Sequence, residues 1–179
     1  MINYVNLPNE MKNFIKEFNY VNLTKDMINH NWKYIPFDTV ITTEGKQWFR
    51  EKKIPVEKYV LLFKIPKNFE GPIHTDMLPL KKSNCAFNFV LSGNGKMQWI
   101  TNLEATEYIE NVNSSVYRRY TNIKQFDILD TWTGDVGLVR INVPHRVVTT
   151  NADRYCISIR LVNDISPNTF DEIKEVLGV

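Results

Sequence analysis

Two spacings of apolar residues divide this chain. Between Pro8 and Phe18 (PNEMKNFIKEF), Met11, Phe14, Ile15 and Phe18 recur at helical intervals behind the start signals Pro8 and Asn9. Thr24 is placed to cap a second short helix, TKDMINH, and Gly45 to Lys52 reads as a further helical turn. From about Tyr59 the spacing shortens. YVLLFKI, CAFNFVL, KMQWI, SVYRRY, VGLVRINV and RYCISIRLV are rich in β-branched and aromatic residues and are separated by Gly, Asn, Asp and Pro. SGNG, Ser92 to Gly95, carries the signature of a hairpin between two of them. PNTFDEIKEVLGV at the C-terminus reads as a capped helix. Helices, then seven or eight short strands, then one helix predict a mainly β protein. The expected architecture is a double-stranded β-helix, or jelly-roll, barrel with flanking N-terminal helices and a C-terminal helix. The expected organisation is one domain over residues 1–179: a mixed N-terminal segment at 1–58, a jelly-roll core at 59–162 and a C-terminal helix at 166–179.

Composition narrows the function classes. At 179 residues, with 43% hydrophobic and 23% charged residues, the chain is long enough to bury a core without staples. A net charge of +2, with basic residues in runs no longer than pairs such as Lys81–Lys82 or Arg118–Arg119, argues against a nucleic-acid footprint. No stretch approaches the apolar length of a membrane span, and MINYVNLPNE has neither the basic nor the apolar region of a secretory signal. Cys85 and Cys156 are therefore expected as reduced thiols in a cytoplasmic setting.

The candidate chemistry lies in GPIHTDMLPL, residues 71 to 80. His74 and Asp76, two positions apart on a strand, point to the same face and can reach one ion. Taken alone, such a pair is also compatible with an ordinary strand rim. His145, between two strand-like segments of RINVPHRVVTTNADRYCISIRL, completes a set of two histidines and one carboxylate. That donor set is the facial triad of non-haem Fe(II) oxygenases, which leaves coordination positions open. Along RYCISIRLV, alternation puts Arg154, Cys156, Ser158 and Arg160 on one face and Tyr155, Ile157, Ile159 and Leu161 on the other. Two arginines on a buried strand face need an anion: either acidic side chains at a sheet edge or a bidentately held dicarboxylate ligand.

His74-x-Asp76, His145 and Arg154 together resemble the His-x-Asp…His…Arg pattern of 2-oxoglutarate and Fe(II)-dependent dioxygenases. HRVVTTNADRYCISIRL looks like the corresponding segment of prolyl hydroxylases, and CAFNFVLSG and PHRVVTTN look like small phage and bacterial members of that superfamily. The resemblance covers about residues 59 to 162. It implies that His74, Asp76 and His145 bind Fe(II). It further implies that Arg154 holds the distal carboxylate of 2-oxoglutarate, with Ser158 or Arg160 assisting and Asn88 touching the co-substrate. The implied activity is hydroxylation of a protein side chain or small molecule, with no side chain needed as a general base. Trp99, Trp132 and Tyr120 are candidates for the pocket wall, although barrel aromatics are more often plain core.

Two other readings are compatible with the residues. One is a cupin-like metal protein, such as an isomerase, that keeps the three ligands and has no need of Arg154; the absence of His-x-His argues against a simple cupin site. The other is a non-enzymatic jelly-roll binding module.

Overall fold

The computed structural model describes residues 2–27, 31–77, 84–112, 115–162 and 169–179. Its ten strands are β1 (Tyr4–Asn6), β2 (Asn31–Pro36), β3 (Val56–Ile65), β4 (His74–Met77), β5 (Cys85–Ser92), β6 (Gly95–Val112), β7 (Ser115–Trp132), β8 (Val136–Arg140), β9 (His145–Thr149) and β10 (Arg154–Leu161). Six form one antiparallel sheet in the order β1-β8-β5-β10-β3-β2. The other four run β4-β7-β6-β9, and this second layer closes on itself because β4 also meets β9. The result is the expected mainly β jelly roll with flanking helices.

Alternation explains what each sheet face meets. On β5 and β10, Phe87, Phe89, Ile157, Ile159 and Leu161 point outward and join the main core under the helical layer. That layer supplies Met11 and Phe14 from a 3-10 helix (Asn9–Phe14), Phe37 and Val40 from α2 (Phe37–Val40), Phe49 from α3 (Thr43–Glu51) and Phe170 from α4 (Thr169–Leu177). The opposite face of the same strands looks into the space between the sheets. Ala86, Val90 and Cys156 there pack with Met97, Trp99 and Trp132. The C-terminal helix is held by Arg140, which donates to Asp171 at 2.7 Å and lies 4.2 Å from the ring centroid of Phe170.

Several local expectations are revised. The helical spacing of Pro8 to Phe18 yields only the 3-10 helix, after which Ile15 turns extended and bridges Ile41. Thr24 closes a helix rather than opening one: α1 is Tyr20–Leu23, and its N-terminal cap is Asn19, whose side chain accepts from the Asn22 amide at 2.9 Å. Residues 28–30 of TKDMINH lie outside the described residues. The turn at Gly45 to Lys52 is α3, capped by Thr42, whose hydroxyl accepts from the Gly45 amide. Ser92 to Gly95 joins β5 to β6, yet these strands do not pair. β5 pairs β8 and β10, and β6 pairs β7 and β9, so SGNG carries the chain from one sheet to the other. KMQWI and SVYRRY are the beginnings of 18-residue strands. Register shifts around Glu104, and left-handed Asn102 and Asn122, let this ribbon bend while it continues. VGLVRINV ends as a strand at Arg140, and HRVVT forms a strand of its own. The C-terminal helix begins at Thr169; residues 163–168 lie outside the described residues.

Candidate metal centre

Between the two sheets lies a cavity whose floor is β10 and whose opposite wall is β4, β7 and β9. Its lining includes His74, Asp76, Asn88, His145, Arg154, Ser158 and Arg160, all of the residues singled out from the sequence as site candidates. Trp99, Trp132 and Tyr120 do not line it: the two tryptophans fill the core between the sheets, and Tyr120 packs with Ile73 and Ile100. The aromatic wall is instead Trp32, Phe63, Phe69 and Tyr117. Tyr117 and Arg119 were available from the alternation of SVYRRY, but Trp32 sits on a strand whose pairing with β3 nothing in its own spacing announces.

The three potential ligands converge because of strand register. His74 and Asp76 share one face of β4, and His145 is the residue directly opposite His74 on β9. The two imidazole centroids are 4.4 Å apart. Asp76 Oδ1 is 3.3 Å from His74 Nε2 and 3.9 Å from His145 Nε2, and one ligand atom from each residue falls within 4.8 Å of the others. Backbone carbonyls orient both rings. His74 Nδ1 lies 2.9 Å from the Pro72 oxygen and His145 Nδ1 2.8 Å from that of Val143. A carbonyl only accepts, so Nδ1 carries the proton in each ring and Nε2 is left facing Asp76.

That arrangement calls for a cation. Asp76 Oδ1 is buried and has no hydrogen-bond partner among the described residues. His145 is buried to 3% exposure, and burial followed by the neighbouring His74 pushes its pKa down to about 3, so at neutral pH its Nε2 offers a lone pair. Burial on its own would raise the Asp76 carboxyl. The Arg160 guanidinium, with help from the two histidines, reverses this and holds the group well below the usual carboxylate range. An ionised oxygen facing imidazole lone pairs is the donor set a divalent metal satisfies, and the residues present fit such an ion.

The arginines part company. Arg160 donates from Nη2 to Asp76 Oδ2 at 2.7 Å, supporting the carboxylate from behind. Arg118, Arg119, Arg140 and Arg146 also meet acidic side chains. Arg154 is 4% exposed and meets none among the described residues. Its stem crosses Gly95, where an added Cβ would come within 2.9 Å of Arg154 Cδ. Beside it the Cys156 thiol also lines the cavity, and burial raises its pKa. Asn88 lies directly across from Ser158, and its Oδ1 is buried without a partner among the described residues.

No family model matches the chain, and no curated protein matches it. Among solved structures it is similar to an RmlC-like cupin protein from Desulfovibrio desulfuricans, at 12% identity over 81% of this chain and 90% of that one, with a TM-score of 0.36. It is also similar to oxalate decarboxylase from Lactobacillus farciminis (9% identity, 92% of this chain and 39% of that one, TM-score 0.38) and to a DMSP lyase from Ruegeria pomeroyi (9%, 89% and 78%, TM-score 0.33). The chain spans 25% of the length of procruciferin from Brassica napus, another match. At such TM-scores the likenesses carry no argument about chemistry. Among the described residues no helix is long and apolar enough to cross a membrane.

Proposed function

We propose that this chain is an Fe(II)- and 2-oxoglutarate-dependent oxygenase that hydroxylates a small molecule or a protein side chain. The observation that carries this reading is one cavity that holds both the His74–Asp76–His145 cluster and a buried Arg154 without an acidic partner among the described residues. A metal site alone has no use for a second, uncompensated cation, whereas a dicarboxylate co-substrate needs one. When bound, Fe(II) would let O2, the oxidant, hydroxylate a substrate C–H bond, while 2-oxoglutarate would supply two electrons and leave as succinate and CO2. The protein's part is to hold and to shield. His74 and His145 present Nε2, their tautomers set by Pro72 and Val143. Asp76 presents Oδ1 while Arg160 holds Oδ2. Arg154 receives the co-substrate tail, and Asn88 and Ser158 give the floor between the arginines hydrogen-bonding groups. Trp32, Phe63 and Tyr117 keep water from the reacting face.

Anaerobic titration of the Fe(II)-loaded protein with 2-oxoglutarate tests this. A visible charge-transfer band in the wild type, shifted to at least about tenfold higher 2-oxoglutarate in Arg154→Ala, is expected from the loss of a charged hydrogen-bonding partner. Iron binding without a band at any concentration would favour the second reading, a cupin-like metal protein that does not use 2-oxoglutarate. One observation supports that alternative: the three-residue cluster is complete without Arg154, and Arg160 is already engaged by Asp76.

A further inference from the structure

Arg160 has one arm occupied and one arm free. Nη2 is bound to Asp76, while Nη1 is buried and has no hydrogen-bond partner among the described residues; the residue is part of the cavity lining. The residue is 8% exposed, so bulk water does not satisfy that group. Leaving a guanidinium N–H buried and unpaired is costly, and a cavity that does so is shaped for something that accepts from it.

The charges of the cavity say what that is. Asp76 offsets Arg160, and Glu110 offsets Arg119 through a 2.6 Å hydrogen bond, leaving Arg154 uncompensated among the described residues. A divalent metal adds two positive charges and a dicarboxylate co-substrate removes two. One positive charge then remains in a closed site, beside an unsatisfied donor. Arg154 and Arg160 lie six residues apart on one strand, about 20 Å of extended backbone, and Arg160 is committed to the Asp76 end. Arg160 is therefore held beside Asp76, and Arg154 is left to meet the co-substrate tail. The aromatic wall begins beside Asp76, whose register partner on β7 is Tyr117; the Tyr117 ring centroid is 5.6 Å from that of His74 and 5.4 Å from that of Trp32.

The geometry points to a substrate that is a small monoanion with an apolar or aromatic body, its anionic oxygen accepting from Arg160 Nη1 and its body lying on Trp32, Phe63 and Tyr117. This rests on the oxygenase reading for the presence of the co-substrate, but the Arg160 subsite is separable from it.

The test uses the full-length protein loaded with redox-silent Zn(II) and saturated with N-oxalylglycine, a non-reacting mimic of 2-oxoglutarate. Phenylacetate and its neutral counterpart phenylacetamide are titrated by calorimetry into wild type and Arg160→Met. Phenylacetate is expected to bind the wild type about tenfold or more tighter than the amide, the worth of one charged hydrogen bond. Arg160→Met, which also strips Asp76 of its partner, is expected to lose that preference, read as the ratio of acid to amide affinity at Zn(II) and N-oxalylglycine concentrations that saturate the variant. Equal binding of acid and amide by the wild type overturns the proposal. So does a preference that survives in Arg160→Met. If Arg160→Met does not fold, the wild-type acid-to-amide ratio together with a phenylacetate-induced shift of the Arg160 guanidinium nitrogen resonances decides instead, and absence of either overturns it. Failure of N-oxalylglycine to bind the wild type, with the acid preference intact, would sink the oxygenase reading and leave the anion subsite standing.

Discussion

Single atoms decide the chemistry of this cavity. Asp76 uses its two oxygens for different tasks, and the cost of its burial is offset only because Arg160 takes one of them. Asp76→Ala removes the carboxylate ligand and strands Arg160, so it is expected to abolish metal binding in a calorimetric titration and also to lower stability by about 3–5 kcal/mol, the cost of breaking a buried pair. His145 makes a second prediction, for the metal-free protein. Its folded pKa of about 3 lies below its ordinary 6.5, so between these values the unfolded chain binds a proton that the fold refuses. Stability must therefore fall as pH drops from 6.5 towards 3, by an amount on the order of a few kcal/mol. The depressed Asp76 acts in the same sense below its own ordinary value of 3.8. Denaturant midpoints measured across this window in the presence of a chelator should show the decline, and His145→Asn should flatten its upper part. Gly95 gives a third: an alanine there pushes on both the Arg154 stem and the Val148 carbonyl of β9, so on the oxygenase reading the 2-oxoglutarate titration should shift to higher concentration and the thermal midpoint should fall.

Among the elements, what could be read in advance depended on whether the information was local. The two faces of β10 follow from strict alternation, and the cavity residues Arg154, Ser158 and Arg160 were legible for that reason. SGNG correctly announces a turn, but a turn's chemistry sets the reversal of the chain and not the partner of the next strand; β6 pairs not with β5 before it but with β7 after it, from Val112–Ser115 out to Met97–Trp132. Asn102 and Asn122 break the alternation of the long ribbon, which is why two 18-residue strands resemble several short ones in sequence. The Arg160–Asp76 pair was not legible, since β4 and β10 belong to different sheets and only the closed fold brings them together. The SGNG turn itself is intolerant. Gly93 has φ +82, and a Cβ there would stand 1.9 Å from the Asp153 carbonyl oxygen. Gly93→Ala should cost more than the ~1 kcal/mol of ordinary left-handed strain, read as a drop in thermal midpoint.

For the molecule as a whole, the site spans both layers, so its ligands cannot all be in place unless the sheets are. A metal ion that binds only the folded state should stabilise it by about 2.7 kcal/mol at a hundredfold excess over Kd. That is roughly 5–10 °C in thermal midpoint for a chain of this size. A chelator should reverse the shift, and Asp76→Ala should not show it. The pairing of His74 with His145 takes on further meaning here. It is the single described register pair between β4 and β9, the seam where the four-stranded layer completes its circle. The residues just before β4 continue that seam: Glu70 bridges Val148, and the Gly71 amide donates to the Val147 oxygen at 2.8 Å. An ion shared by these two residues is thus a clasp on the ring, joining points far apart in the chain and removing the freedom of the segment between them. The ion adds to hydrogen bonds already present there, so hydrogen exchange of the β4 amides should slow further when the metal binds and quicken when a chelator removes it.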